Sequence, residues 1–305
     1  MEEIKIYKKI DITDPVMIAG WPGMGSVALG TVDYLKRKLT AVDFAEIKVD
    51  KFSILDSVIV EDGIAHLAEP PKNRFYYTGS PNLIIFEGEA QLPGQDGIEL
   101  LNKVLDVAAQ FKVKRIYTGA AFPMPISCKA QSEIYGAANN KTLRGLFRKM
   151  GIRPMEDGHI SGLNGLVLGF AKGRGIEAVC LLATIPQYAI SLPNPKASFA
   201  IIQILERILN FEVARDEMNE YIKDMEDKMA MIEEKVRDVF PIEKEEHRIF
   251  PAQKVPSYIK DKIEKMFHEA KADKSKAISL KKELDRWDLY KMYEDRFLDL
   301  FKENQ

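Results

Sequence analysis

The stretch from Gly20 to Gly30, GWPGMGSVALG, constrains the fold most, because it separates a short apolar run from an amphipathic segment. Residues Val16 to Ala19 are all apolar and predict a buried strand. Apolar residues recur at helical spacing from about Ser26 to Leu39, which predicts a helix with Ser26 as its N-cap. The glycines in between predict a tight turn from strand to helix.

This turn has several chemical interpretations. Its backbone N–H groups converge at a helix N-terminus, where the helix dipole favours an anion such as phosphate. A P-loop is excluded, because no Lys-Ser or Lys-Thr pair follows the glycines. The run Gly23 to Ala28 fits the dinucleotide fingerprint G-x-G-x-x-A with Asp50 at the end of the second strand, but three residues are inserted between the first strand and this run. The remaining interpretation is a turn whose glycines serve only steric needs. The candidate ligand or partner residues are Gly20, Trp21, Pro22, Gly23, Met24, Gly25 and Ser26.

Four further motifs follow the turn in sequence order, and together with GWPGMGSVA they span about residues 10–210. They are Thr118 to Pro123 (TGAAFP), Ile134 to Asn140 (IYGAANN), Gly158 to Gly165 (GHISGLNG) and Leu181 to Tyr188 (LLATIPQY). In this order the set resembles the proteasome assembly chaperone 2 family, and the chain is identified as an archaeal-type member.

The resemblance implies a fold similar to that of nucleoside phosphorylases. It also implies a protein that binds proteasome subunits or the finished particle and has no catalytic chemistry of its own. In some archaeal relatives, docking uses a C-terminal tail of a hydrophobic residue, a tyrosine and any residue. This sequence ends with Phe301 to Gln305 (FKENQ), which departs from that pattern. We therefore expect a partner subunit that supplies the tail, or a different client.

Composition argues against several classes of protein. The formal net charge of -2 and the pI of about 6.2 give no general attraction to nucleic acid or to an anionic membrane. No stretch approaches the ~18 apolar residues of a membrane-spanning helix, and no early apolar run has the flanks of a signal peptide. Cys128 and Cys180 lack metal-ligand spacing and indicate reduced thiols. We expect a cytoplasmic protein with no metal or cofactor and no nucleic-acid or membrane partner.

A break in composition divides the chain. All 19 glycines lie at or before Gly175. From Phe211 onward, 44 of 95 residues are charged, whereas the first 210 residues hold the remaining 46 charged residues. The sequence therefore predicts a domain over residues 1–210 and a charged helical hairpin or coiled-coil-like region over residues 211–305.

Strand and helix patterns alternate along the first part. Predicted strands lie at residues 16–19, 43–49, 57–60, 64–67, 74–78, 83–86, 113–118 and 176–183, with a hairpin turn at Glu61 to Gly63. Predicted helices lie at residues 26–39, 98–111, 143–150 and 199–209, and residues 163–171 form an apolar stretch with small residues. The alternation predicts an α/β fold with a mostly parallel sheet flanked by helices and one antiparallel hairpin region, followed by an α-helical C-terminal region.

Ligands of such folds collect beyond the carboxyl ends of the strands. The residues that this rule places on one rim with the turn are Glu87, Glu89, Thr118, Gly119 and Tyr188. Glu87 and Glu89 form a close carboxylate pair, although solvated loop carboxylates beside Gly88 are the stronger interpretation. The isolated histidines His66 and His159 lack the spacing of a zinc site. We identify no catalytic set.

Apolar residues of the second part are spaced alternately by four and three, which is the seam of a heptad repeat. The seam residues are Met218, Ile222, Met225, Met229, Ile232, Val236 and Val239. A second helix follows around Ile259 to Phe267. A third begins near Ile278 and carries Leu280, Leu284, Trp287, Tyr290, Phe297, Leu300 and Phe301. These segments predict either helices that pack within one chain or a seam that joins subunits.

Two functions remain open. The first is a non-catalytic, oligomeric chaperone or scaffold related to proteasome assembly or proteasome binding. It would form a homo-oligomer and bind proteasome subunits or a related family member. The alternative is a protein or enzyme that binds phosphate, a nucleoside or a nucleotide at the Gly20 to Ser26 turn.

Overall fold

The computed structural model describes residues 4–48, 58–67, 69, 71–236, 257–286, 293, 296–297 and 300. Residues 49–57, 237–256, 287–292 and 301–305 are outside the described set, and so are Asp50, Val239, Trp287, Tyr290 and Phe301 of the sequence predictions. The chain divides into two compact units, Met1–Glu245 and Glu246–Gln305.

The described part of the chain contains eleven strands and eight α-helices. The strands are β1 (Ile4–Ile6), β2 (Val16–Gly20), β3 (Val42–Ile47), β4 (Val58–Glu61), β5 (Ile64–Leu67), β6 (Asn73–Thr78), β7 (Leu83–Gly88), β8 (Arg115–Met124), β9 (Ile134–Ala138), β10 (Arg153–Pro154) and β11 (Glu177–Pro186). The helices are α1 (Val27–Lys38), α2 (Gly94–Gln110), α3 (Lys141–Met150), α4 (Leu163–Gly173), α5 (Pro195–Leu209), α6 (Asp216–Val236), α7 (Ser257–Ala272) and α8 (Ala277–Arg286).

Nine of these strands form one mixed sheet in the order β1-β3-β6-β7-β2-β8-β11-β9-β10. The central strands β7, β2, β8 and β11 run parallel. Antiparallel pairs join β1 to β3, β3 to β6, β6 to β7 and β9 to β11. The predicted α/β class is confirmed, with a parallel centre and antiparallel flanks. The nucleoside-phosphorylase likeness stays a prediction.

Helices cover both faces of this sheet. Met17 and Ala19 of β2 pack in one core with residues of α2 and α4. Ile18, which points to the opposite face because side chains alternate along a strand, packs with residues of α1, α3 and α5. Three layers follow, with the sheet in the middle.

Several elements differ from the sequence predictions in extent or type. Strand β8 continues to Met124, because it pairs with β11 along its whole length. Residues 134–138 form strand β9, which begins with the strand formers Ile134 and Tyr135 and continues with three small residues. The apolar stretch 163–171 lies in helix α4, because its apolar residues cover one face of the sheet. The predicted hairpin is present as a separate two-stranded sheet of β4 and β5.

The break in composition near residue 211 does not coincide with the division into compact units. Helix α6 lies after that break but belongs to the first unit, and Met218 at its start is buried in the core that contains α1 and α5. In the second unit, α7 and α8 pack around a core of their own. Its buried residues are Ile263, Phe267, Ala270, Ala277, Leu280, Leu284 and Phe297. A coiled coil in the C-terminal region stays a prediction.

Helices α7 and α8 run antiparallel, as their short connection requires. Lys262 near the start of α7 pairs with Glu283 near the end of α8 at 2.7 Å. A further ion pair joins Arg296 to Glu264 at 2.6 Å, and the Arg296 guanidinium lies over the Phe267 ring. Among the helices that the structure describes, none is long and apolar enough to cross a membrane.

Candidate functional site

The turn from Gly20 to Ser26 begins where β2 ends, between the parallel neighbours β7 and β8. Helix α1 lies so close to the end of β2 that a Cβ atom on Gly20 would be 2.8 Å from the Ala28 carbonyl oxygen and 2.9 Å from Val32 Cγ1. Glycine is required at this position by the close approach of the helix.

The conformation of the turn includes two successive left-handed residues. Gly25 has φ 64°, and Ser26 has φ 50°. Ser26 is at the N-cap position of α1, as predicted, but its side chain makes no capping hydrogen bond. The predicted capping role of this side chain is therefore wrong. A capping side chain normally belongs to a residue with an extended backbone, which Ser26 does not have. The Ser26 N–H instead donates to the Gly23 carbonyl oxygen at 3.0 Å.

Asn164 at the start of α4 connects the turn by hydrogen bonds to the helix layer that contains α2 and α4. The Trp21 N–H donates to Asn164 Oδ1 at 3.0 Å, and Asn164 Nδ2 donates to the Trp21 carbonyl oxygen at 3.0 Å. The Thr118 hydroxyl donates to the Asn164 carbonyl oxygen at 2.7 Å. Because Trp21, Thr118 and Asn164 are all buried, these bonds replace the solvent that their polar groups have lost.

Gln91 makes a second bridge between the turn and α4. Its Nε2 donates to the Pro22 carbonyl oxygen at 2.7 Å, and its Oε1 accepts from the Leu163 N–H at 3.1 Å. Sequence reasoning missed both Gln91 and Asn164. Asn164 lies in the GHISGLNG motif, which is the one signal that marks it.

The proline-rich loop after β11 packs on the other side of the turn. The Gly25 N–H donates to the Ile190 carbonyl oxygen at 2.7 Å, and the Asn194 N–H donates to the Gly25 carbonyl oxygen at 2.7 Å. The Asn194 side chain in turn caps α5 by accepting from the Ala197 N–H at 3.0 Å. The turn and the loop therefore hold each other in place.

These bonds decide how many N–H groups of the turn point at protein acceptors. The N–H groups of Trp21, Gly25 and Ser26 donate within the protein, and so does that of Val27, to the Met24 carbonyl oxygen. Four of the backbone N–H groups that an anion could bind therefore already donate to protein oxygens. Gly23, Met24 and Ser26 form the exposed part of the turn. The use of the turn for a ligand or a partner stays a prediction.

Trp21 is the large side chain of the turn, and it is fully buried. Its ring lies 5.0 Å from the Phe86 ring, and a Cβ atom on Gly88 would be 2.6 Å from Trp21 Cδ1. The indole N–H and the side-chain amide of the buried Asn73 have no hydrogen-bond partner among the described residues. Trp21 thus anchors the turn in the core and is not available at the surface.

The predicted rim residues do not form one group. Glu87 pairs with Lys36 of α1 at 2.7 Å, whereas Glu89 accepts from the Lys72 N–H at 2.8 Å. Thr118 pairs with Ala19 in the sheet, so it lies level with the end of β2 but six residues before the end of β8. Gly119 lies beside it, where a Cβ atom would be 3.3 Å from Ala28 Cα. The expectation that Thr118 and Gly119 lie at a strand end is wrong, because β8 extends beyond the end of β2.

Tyr188 belongs to a second group, which we call the Glu233 cluster and define as Ser127, Cys128, Tyr188 and Glu233. The Tyr188 hydroxyl donates to Glu233 Oε2. The Ser127 hydroxyl donates to the same oxygen at 3.1 Å, and the Cys128 N–H donates to it at 2.8 Å. One carboxylate on α6 therefore gathers donors from the segments that follow β8 and β11.

The environment of the cluster shifts its ionisation. Burial opposes the charge on Glu233, but the donors from Tyr188, Cys128 and Ser127 outweigh it and lower the pKa of this carboxyl. Burial and the bond to Glu233 raise the pKa of Tyr188, and burial raises the pKa of the Cys128 thiol. Burial also raises the pKa of Cys180 to about 12. Both thiols stay protonated near neutral pH and are poor nucleophiles.

The methionines of the predicted seam face the chain's own first unit. Met218 is buried in the core beside α1 and α5, and Met225 and Met229 are buried with Cys128 and Ala189. Ile222, Ile232 and Val236 are half-buried. The stripe is therefore covered within the unit at its three methionines, and a role in joining subunits stays a prediction.

The two histidines of the first part lie apart. His66 is on the exposed hairpin strand β5, and His159 is in an exposed loop before α4. Within the described ranges, no three His, Cys, Asp or Glu side chains come together in a group that could hold a metal ion.

Comparisons with known proteins give a consistent result. A model of the PAC2 family matches residues 17–233. Uncharacterized protein MJ1210 of Methanocaldococcus jannaschii is 26% identical over 230 residues, which cover 72% of this chain and 85% of that protein.

Solved structures resemble the fold. The Pyrococcus furiosus PbaB structure, described as an archaeal proteasome activator, is 27% identical with a TM-score of 0.65, covering 76% of this chain and 98% of that chain. The Pyrococcus furiosus PbaA structure, described as an archaeal homologue of proteasome-assembly chaperone, is 18% identical with a TM-score of 0.61, covering 78% and 99%. The predicted family resemblance is thus confirmed.

Proposed function

Because the chain belongs to the PAC2 family, we propose that it is a non-catalytic, oligomeric chaperone or scaffold that acts on proteasome subunits or the assembled proteasome. The family match over residues 17–233 carries this proposal. It extends from the strand before the glycine turn to Glu233 on α6, so it includes both groups of the candidate site. The similarity to an archaeal proteasome activator supports the proteasome as the partner.

The chemistry of the site supports binding without catalysis. The polar groups around the turn, above all Asn164 and Gln91, are used to hold backbone atoms of the turn in place. The two cysteines are buried free thiols whose pKa values are raised by burial. A cytoplasmic location is part of the proposal, since reduced thiols persist in that compartment.

The exposed part of the turn is the surface that we assign to the partner. Gly23, Met24 and Ser26 reach solvent, while Trp21 and Gly25 are buried and support them from below. A protein partner can contact such a surface without entering a pocket. Since the turn is rigidly bonded on both sides, little conformational entropy would be lost on binding.

The test is binding of the purified full-length chain to proteasome core particles and to their separated subunits from the same organism. We expect the chain to co-elute with the particle or with a subunit in size-exclusion chromatography. Failure to bind either form at tens of micromolar, near the weak end of specific association, would contradict the proposal.

A matched pair of variants assigns the binding surface. Met24→Lys places a charge on the exposed turn, and Met231→Lys places the same charge on an exposed position of α6. We expect Met24→Lys to weaken binding at least tenfold, which is about 1.4 kcal/mol, and Met231→Lys to leave it unchanged. Equal binding by both variants would remove the turn from the interface while leaving the proteasome partner in place.

A further inference from the structure

The hairpin of β4 and β5 is a separate two-stranded sheet in which every residue is exposed. An isolated two-stranded hairpin is at best marginally stable in water, and one that exposes large apolar side chains is unusual on a soluble surface. The hairpin therefore has the character of a surface that is covered by something else.

The pairing register sorts its side chains onto two faces. Val58 pairs with Leu67, and Val60 pairs with Ala65, so these four side chains share one face. We call it the apolar hairpin face. Val58, Val60 and Leu67 are 53%, 62% and 70% exposed. The opposite face carries Ile59, Glu61, Ile64 and His66, so it mixes exposed apolar side chains with polar ones, whereas the apolar hairpin face is apolar at all four positions.

The same compact unit has a concave apolar surface elsewhere. A groove of about 610 Å³ runs along the outer side of α4; Leu166, Gly169, Phe170 and Gly173 are among its lining residues, and Asn102 and Arg174 are its polar ones. Leu166 is 45% exposed. A Cβ atom on Gly169 or on Gly173 would meet nothing within 4 Å, so the glycines leave the floor of the groove open. We call it the α4 groove.

The hairpin and the α4 groove carry opposite charges, each at one end. The hairpin turn carries Glu61 and Asp62, and within the described ranges no ion pair involves either. The C-terminal end of α4 carries the exposed Lys172 and Arg174, the latter already paired with Asp106. An acidic turn fits the basic end of the groove when the apolar parts are in contact.

We propose that the apolar hairpin face of one copy packs into the α4 groove of a second copy. The hairpin does not fill the groove of its own chain, because its residues are all exposed there. A second copy supplies both surfaces, and contacts that are mainly apolar are typical of permanent rather than transient association. Such a head-to-tail contact closes into a ring when its rotation allows. This contact explains how the protein forms the oligomer of the proposed function. It rests on the proposed function only in the claim that the protein is oligomeric.

Cross-linking between two co-expressed, differently tagged full-length chains tests this contact. One chain carries Ala65→Cys on the apolar hairpin face, and the other carries Gly169→Cys in the α4 groove. Cys128 and Cys180 are buried, so the new thiols are the reactive ones. The matched control replaces Gly169→Cys by Gly145→Cys on α3, where a Cβ atom also meets nothing within 4 Å.

With a short bismaleimide we expect a covalent dimer that contains both tags from the Ala65→Cys and Gly169→Cys pair, and at least tenfold less from the control pair. Equal yields would overturn the proposal, and so would the absence of any dimer. Efficient cross-linking of Ala65→Cys to itself would also overturn it, since two hairpins would then be packed against each other.

Light scattering gives a second measure that does not depend on new cysteines. We expect the chain to exceed the 34.6 kDa of one copy, and Val60→Lys with Leu67→Lys to reduce it to one copy. Ile278→Lys, an equally exposed apolar position on α8, should retain the larger mass. A single-copy mass for the unmodified chain overturns the contact.

The two proposals fail separately. A single-copy chain that still binds proteasome subunits would remove the hairpin contact and keep the proposed function. A chain that cross-links as expected but binds no proteasome form would do the reverse.

Discussion

Position 20 requires glycine because neighbouring atoms approach too closely for a Cβ atom, and not because of its backbone angles. Helix α1 turns back over the end of β2, and the Ala28 carbonyl oxygen and the Val32 side chain occupy the place that a Cβ atom would take. Gly25 is different, because its φ of 64° is in the left-handed region that favours glycine. Two glycines of one motif thus serve two separate physical needs.

We expect Gly20→Ala to destabilise the chain by about 1–3 kcal/mol, because the added methyl group forces the helix and strand apart. Urea denaturation measures this change. Gly145→Ala is the matched control, since Gly145 lies in a helix with open space around it. It should raise the free energy of unfolding by about 0.5–1 kcal/mol. Similar losses from both substitutions would show that the close approach at Gly20 is relaxed in solution.

The alternative function also belongs to the residue scale. With the N–H groups of Trp21, Gly25 and Ser26 engaged, we expect no rise in Tm with phosphate, nucleosides or nucleotides. A ligand at 100 times its Kd would add about 2.7 kcal/mol, which a thermal shift detects readily. A rise that Gly25→Val abolishes would favour the ligand-binding alternative over the chaperone.

At the scale of elements, helix α6 is fastened at both ends. Near its start, Glu217 pairs with Arg37 at 2.6 Å and with Lys38 at 2.5 Å. Met218 is buried just after it. Near its end, Glu233 accepts from Tyr188, Ser127 and Cys128. The surface ion pairs contribute little, so the buried methionines and the Glu233 cluster hold the helix.

We expect Glu233→Ala to loosen the second half of α6 by about 1.5–3 kcal/mol, because it removes a charged acceptor and leaves the Tyr188 hydroxyl and the Cys128 N–H without one. Hydrogen exchange of α6 amides, together with Tm, measures the effect. Glu234→Ala is the control, since Glu234 is the exposed neighbour on the same helix. Equally fast exchange in both variants would show that the hydrogen bonds of Glu233 are not what holds the second half of α6.

The same carboxylate predicts a dependence on pH. The pKa of Glu233 is lowered from its ordinary value of 4.5 in the folded state. Its stabilising effect is therefore present above the unfolded pKa, and it is lost as the pH falls through the lower folded pKa. We expect the difference in unfolding free energy between the chain and Glu233→Gln to be constant near neutral pH and to shrink in acid. A difference that persists unchanged in acid would show that the charge is not responsible.

For the whole molecule, the position of α6 decides where the chain can be divided. Three methionines of α6 are buried in the first unit, so a fragment that ends at residue 210 exposes the surfaces that they cover. Each such side chain contributes about 1.5–3 kcal/mol when fully buried. The predicted boundary near residue 211 therefore cuts through packed structure.

We expect a fragment of residues 1–245 to unfold at nearly the same urea concentration as the first unit of the full chain, and a fragment of residues 1–210 to unfold at a distinctly lower one. Far-UV circular dichroism against urea compares them. Equal midpoints would mean that α6 adds nothing to the stability of the first unit, and would restore the boundary indicated by composition.

The sequence predicted some parts of the candidate site better than others. The turn could be located because a strand, glycines and a helix follow one another directly, and local rules describe each. Asn164 and Gln91 could not be assigned to it, because they lie 143 and 69 residues from the atoms that they bind. The Glu233 cluster was missed for the same reason, since Glu233 is 105 residues from Cys128.

The amino-acid sequence by itself determined the α/β class, the glycine turn, the family and the apolar stripe of α6, because each depends on order and spacing along the chain. Only the tertiary structure decided what that stripe packs against. Helical periodicity specifies which face of a helix is buried but contains no information about its partner. The same holds for the hairpin, whose apolar runs and intervening turn predicted two strands, while the structure revealed that the rest of the described chain leaves them uncovered.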